Sequence, residues 1–121
     1  MTELKNPKLY DLEDRTLQFA KKVREFVRKL PKTKSNFEDI SQLIRSSGSV
    51  GANYIEANES FSKKDFILRV KISRKEAKEI KYWLILVETN SIDDLDKERK
   101  NLIQEATELM NIFGSIIRKS E

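Results

Sequence analysis

The sequence predicts an all-α protein, an antiparallel up-down-up-down four-helix bundle. Three observations carry this. Apolar residues recur at alternating steps of three and four in four separate segments, the period of an amphipathic helix. Only three glycines and two prolines stand in 121 residues, far fewer turn-formers than a β-sandwich or an α/β fold requires. The links between segments are short, and short links force neighbouring helices to run antiparallel.

In the first helix the apolar seam is Leu12, Thr16, Phe19, Val23, Phe26 and Leu30. Asp11 is its expected N-cap, and Pro31 ends it, because the residue before a proline is pushed out of helical geometry. Residues 1–10 read as a loose N-terminal arm and 11–119 as one bundle domain. The second seam is Ile40, Leu43, Ser47, Val50, Tyr54 and Ala57, with Asn36 as the expected cap. The third helix has the sharpest start: Ser62 and Asp65 at capping-box spacing, with Phe61 placed to staple onto Phe66. Its seam runs Phe66, Val70, Ser73, Ala77, Ile80, Leu84 and Val87. The fourth helix begins near Asp93 or Asp94, carboxylates that suit the positive end of a helix. Its seam is Leu95, Arg99, Leu102, Ala106, Leu109, Phe113 and Ile116.

The run Ser46-Ser47-Gly48-Ser49-Val50-Gly51-Ala52-Asn53 is unusual inside a helix. Each glycine there costs about 1 kcal/mol relative to alanine. A loop dividing two short helices is one reading. Leu43, Ser47, Val50 and Tyr54 nevertheless hold phase through the run, which favours one helix whose small side chains let another backbone come close. The spacing of a phosphate-binding glycine loop is absent.

Composition excludes several classes of chemistry. The chain has no cysteine and no histidine. It therefore has no disulfide framework, no thiolate nucleophile, no Ser-His-Asp triad, and no zinc or di-iron site of the usual Cys/His kinds. No run approaches the roughly 18 apolar residues of a membrane span. The expectation is a cytoplasmic, non-enzymatic protein without cofactor or metal. Glu76 and Glu79, like Asn53 and Glu56, stand three apart on one helix. Such pairs suit either a metal or, more simply, polar bonds that fix helix register. Arg99, on the fourth seam, is a candidate partner for Asn53 or Glu56, or else marks a frayed helix end.

Charge is unevenly placed. The net charge is +4, yet residues 1–35 hold ten Lys/Arg against five Asp/Glu, and residues 62–90 hold eight against four. Residues 36–61 and 91–121 are acidic. On the third helix Lys71, Arg74, Lys75, Lys78 and Lys81 recur at helical steps on one face, and Lys64 extends the row. Such a stripe can track phosphates, and Lys21, Lys22, Arg28 and Lys29 of the first helix are candidates to add to it. No aromatic platform is interleaved with these cations, so stacking on bases is not expected. The alternative is a solvated lysine-rich face on a protein-interaction scaffold. Surplus apolar residues on the third helix, among them Tyr82, fit either a wide core stripe or a second contact surface, and on the second reading they predict self-association around Ile72, Trp83 and Leu86.

The stretch Ser49-Val50-Gly51-Ala52-Asn53-Tyr54-Ile55-Glu56 resembles the Ser-Ile-Pro-Ala-Asn-Ile-Ala-Glu of one family, the bacterial four-helix bundle proteins encoded in intervening sequences of 23S ribosomal RNA genes. Lys75-Glu76-Ala77-Lys78-Glu79 and Tyr82-Trp83-Leu84 are similar to that family's third-helix pattern. The likeness spans about residues 12–117. Gly51 stands where many members have proline, and Ala57 where many have glycine. The resemblance implies a four-helix bundle, assembled in some members as a ring-like homopentamer. It also implies partners: related bundles are accessory proteins of diversity-generating retroelements, where they bind RNA or DNA and a reverse transcriptase. It supplies no catalytic residues.

Overall fold

The computed structural model describes the backbone from Pro7 to Glu121 and the side chains from Leu12 onward. Four helices fill it: α1 (Pro7–Arg28), α2 (Lys34–Asn58), α3 (Lys63–Leu86) and α4 (Asp93–Ser120). At 1.5 Å per residue they are roughly 33 to 42 Å long. Cross-helix pairs fix their directions. Arg45 meets Glu76 and Asn53 meets Arg69, so α2 and α3 are antiparallel. Arg15 meets Glu105 and Lys29 meets Glu98, so α1 and α4 are too. Each helix packs on two neighbours, and α1 lies diagonally across from α3.

The four seams close on one another as one core. Phe19, Val23, Phe26, Leu43, Val50, Val70, Ile80, Leu84, Leu109 and Phe113 are all fully buried. Tyr54 tilts against Phe113 with ring centroids 5.8 Å apart. Its phenol is pushed to a higher pKa, chiefly by burial.

Helix α2 is continuous through Gly48 and Gly51. The small residues serve close approach on two sides. A side chain at Gly51 would begin 3.0 Å from Thr16 Oγ1 on α1. On the other side, buried Ser73 of α3 donates its hydroxyl to the Val50 carbonyl at 2.9 Å.

The helix ends depart from expectation in four places. Helix α1 starts at Pro7, a residue suited to a first helical position, so Asp11 lies inside the helix and does not cap it; residues 1–6 of the expected arm lie outside the described residues. Thr33, not Asn36, caps α2, accepting from the Asn36 N–H. Asn36 instead points inward. Its amide donates to the carbonyls of Pro31 and Glu88 and accepts from the Glu88 N–H, tying two loops together. Ser62 does cap α3, but Phe61 is fully exposed and makes no staple. Arg99 meets neither Asn53 nor Glu56: it donates to the Val87 and Leu84 carbonyls and closes the C-terminus of α3. The turn into α4 is made by Asn90 and Ser91, both left-handed at φ 57° and 59°.

Candidate nucleic-acid interface

Helix α3 exposes a face that lies between α2 and α4, and the row of cations occupies it. Lys71, Arg74, Lys75 and Lys78 line a groove between α3 and α4, whose other wall is Met110, Asn111, Gly114 and Arg118. Arg118 was not foreseen from sequence, because its helix is acidic as a whole. Its position follows from antiparallel packing, which lays the C-terminal turns of α4 beside the first half of α3.

Gly114 makes the floor. It is buried, and a side chain there would begin 3.4 Å from Arg118 Nη1 and 3.9 Å from Arg74 Nη1. Two guanidiniums from different helices thus converge over one glycine. Like charges are drawn together there, and no carboxylate lines the groove. Lys71 lies 3.9 Å from Glu121, a long and exposed contact at the end of the chain. Arg74, Lys75 and Lys78 pair with no carboxylate among the described residues.

The remaining cations fall outside this groove. Lys64 is exposed on the same face nearer the start of α3, and Lys81 is half-buried at its other end. Helix α1 stands diagonally opposite, so Lys21, Lys22, Arg28 and Lys29 do not extend the groove, and Lys29 is paired with Glu98 at 2.7 Å.

The acidic residues of α3 and α4 are turned elsewhere. Glu76 and Glu79 both accept from Arg45 of α2, and Asn53 of α2 accepts from Arg69, so these polar residues bind helix to helix. On α4, Glu105 takes both arms of Arg15 at 2.7 and 2.8 Å, and Glu108 takes a third bond. The hydrogen bond with Glu105 is the main cause that raises the Arg15 pKa. Glu108 is held below the usual carboxylate range by hydrogen bonds from Gln104 and then Arg15.

Of the three residues expected in a self-association surface, Leu86 is 45% exposed, Ile72 is half-buried, and Trp83 packs against the core. The indole N–H of Trp83 is buried without a hydrogen-bond partner. The most exposed apolar residues at this end of α3 are Ile85 (65%) and Tyr82 (60%). Tyr82 stands four residues beyond Lys78 and therefore continues the cation row. No aromatic is interleaved among these cations, and the ring of Tyr82 stands at the end of their row.

Fold and surface together define a class: an all-α four-helix bundle carrying a basic inter-helix groove. No described helix is long and apolar enough to cross a membrane. Residues 10–115 match the 23S rRNA-intervening sequence proteins, and the chain belongs to that family. It is also similar to a crystal structure from Bacteroides thetaiotaomicron, a protein of unknown function from the S23 ribosomal protein family. The two share 33% identity with a TM-score of 0.75, over 87% of this chain and 96% of the other. No curated protein matches the sequence.

Proposed function

We propose that this protein is a non-catalytic nucleic-acid-binding bundle that holds a phosphate backbone in the α3/α4 groove, working as an assembly of several copies. The observation that carries the reading is the groove's composition: Lys71, Arg74, Lys75, Lys78 and Arg118 around a glycine floor, with no lining carboxylate. Converging cations without a counter-charge repel one another, and a polyanion relieves that repulsion. Arginine pairs also suit the forked geometry of phosphate oxygens. Self-association through the apolar edge at Ile72, Trp83 and Leu86, into a ring in the manner of some relatives, would repeat the groove and add the fields of its copies.

The test is fluorescence anisotropy of a labelled structured RNA, read over a series of salt concentrations, with light scattering to count copies. Five engaged cations give a slope of log K against log salt of about −3.5 to −4.5, the range set by single-stranded and duplex contacts. Lys75→Glu with Lys78→Glu should flatten that slope by about two or more and weaken binding at low salt. Binding unaltered by the double substitution would refute the groove as the contact. A second reading, a protein-interaction scaffold, is favoured by the exposed Ile85 and Leu86. It predicts a discrete assembly that ignores RNA at every salt concentration.

A further inference from the structure

The cation row does not end in solvent. Lys64, Lys71, Lys75, Lys78 and Tyr82 follow one another at intervals of seven, four, three and four residues, which keeps all five on one face of α3. Tyr82 lies one turn beyond Lys78, about 6 Å along the helix axis. We infer that Tyr82 is a stacking platform for an unpaired base at the end of the phosphate track, which makes single-stranded nucleic acid, or a duplex with an unpaired end or loop, the preferred ligand. This rests on the groove reading above and names the ligand class for it.

Three features of the site support the assignment. Tyr82 is 60% exposed, so much of the ring is open to a ligand. Its orientation is held: the ring meets Trp83 edge to face at 79°, with centroids 5.1 Å apart, and Trp83 is packed against the core. Such bracing reduces the freedom a stacking residue would lose on binding. Finally, the ring adjoins cations. Of the other strongly exposed aromatics, Phe37 lies on α2, and Phe61 lies in the α2–α3 link three residues before Lys64, at the far end of the row from the groove.

Cations alone bind paired and unpaired strands through the same phosphates. An aromatic face distinguishes them, because bases in a duplex are already stacked on one another and only an unpaired base can leave for a protein ring. The residue edge that includes Ile72, Trp83 and Leu86 turns toward α2, where Glu76 at neighbouring helical phase meets Arg45. Tyr82 stands on the cation row, with Leu86 one turn beyond it, so base stacking and self-association use neighbouring positions of α3.

The experiment compares the full-length protein with its Tyr82→Ala and Tyr82→Phe variants. Each is titrated into labelled single-stranded RNA, the equivalent single-stranded DNA, and a blunt RNA duplex at low salt. Tyr82→Ala should weaken single-strand binding about 5- to 150-fold, leave duplex binding unchanged, and keep the salt slope. Tyr82→Phe should bind as the parent does. The emission of Trp83, the chain's one tryptophan, should change with single strand and not with duplex. Equal single-strand affinity for parent and Tyr82→Ala, with duplex still bound, overturns the platform alone. Failure to bind any of the three probes overturns the groove reading and the platform with it. Light scattering that shows Tyr82→Ala losing its assembly state would assign Tyr82 to a protein interface and likewise overturn the inference.

Discussion

Two glycines three residues apart on α2 should respond to alanine in opposite ways. At Gly48 a new methyl would begin 3.8 Å from the tip of the Arg24 side chain, an ordinary contact with a group that can swing aside. Only the backbone effect remains there, and alanine in a helix interior is favoured over glycine by about 1 kcal/mol. Gly48→Ala should therefore stabilise the protein by about 0.5 to 1 kcal/mol. At Gly51 the same backbone gain is opposed. The methyl would begin 3.0 Å from Thr16 Oγ1 and 3.3 Å from Thr16 Cβ. Thr16 is buried, and its hydroxyl is held by the Glu13 carbonyl at 2.9 Å, so it has little room to give. Overpacking of this kind costs about 1 to 3 kcal/mol. The net for Gly51→Ala is between no change and a loss of about 2 kcal/mol. Urea unfolding of both variants measures this directly. With a slope of about 1 to 3 kcal/mol per molar, Gly48→Ala should raise the midpoint by a few tenths molar, and Gly51→Ala should not raise it. An equal rise for both would show that α1 does not press on α2 at Gly51. Thr16→Ala in the Gly51→Ala background should restore part of the loss, because it removes the nearest atom.

Two other perturbations follow from the polar contacts. Asn36→Ala strands the carbonyls of Pro31 and Glu88 and the Glu88 N–H at a fully buried position, and should cost about 3 kcal/mol in urea unfolding; a loss below about 1 kcal/mol would mean that water replaces all three bonds. Acid should loosen the α1/α4 seam. Since Glu108 is held below its unfolded value near 4.5, the stability it contributes is present above that pH and is lost as pH falls through the lower, folded value. Unfolding of Glu108→Gln and parent, compared at neutral pH and in acid, should show a gap that narrows on acidification, and a constant gap would refute the linkage.

The fold was legible because its determinants are local. Periodicity alone identifies the core, and every seam residue expected in α1 is buried, including Leu30 just past the helix end. Phase also carried α2 through its glycines. The errors sit where long-range partners decide. Thr33 and Asn36 are both capping residue types three apart, and only the arrival of the α3–α4 loop at Glu88 determines that Asn36 turns inward. The partner of Arg99 on its apolar seam was misread because the carbonyls it serves belong to the end of another helix. Phe61 shows the reverse case, a local signal without a tertiary partner.

The candidate site was half legible for the same reason. Spacing on α3 shows which cations share a face, but not what stands opposite them, so Gly114 and Arg118 were missed. Nor does spacing show where the carboxylates go. A chain of net charge +4 has ample acid to neutralise one lysine row. The structure prevents this by sorting: Arg45 draws Glu76 and Glu79 of α3 toward α2, while Arg15 and Lys29 draw Glu105, Glu108 and Glu98 of α4 toward α1. Both outer helices thus take the acid from the pair that forms the groove. The weakly basic average thus includes two ion-paired seams, α2/α3 and α1/α4, and an α3/α4 groove lined by no carboxylate. A protein whose only requirement was stability gains little from that division, because exposed ion pairs contribute a few tenths of a kcal/mol wherever they fall. Directing the carboxylates of α3 and α4 away from one shared groove has a consequence chiefly for what that groove can bind.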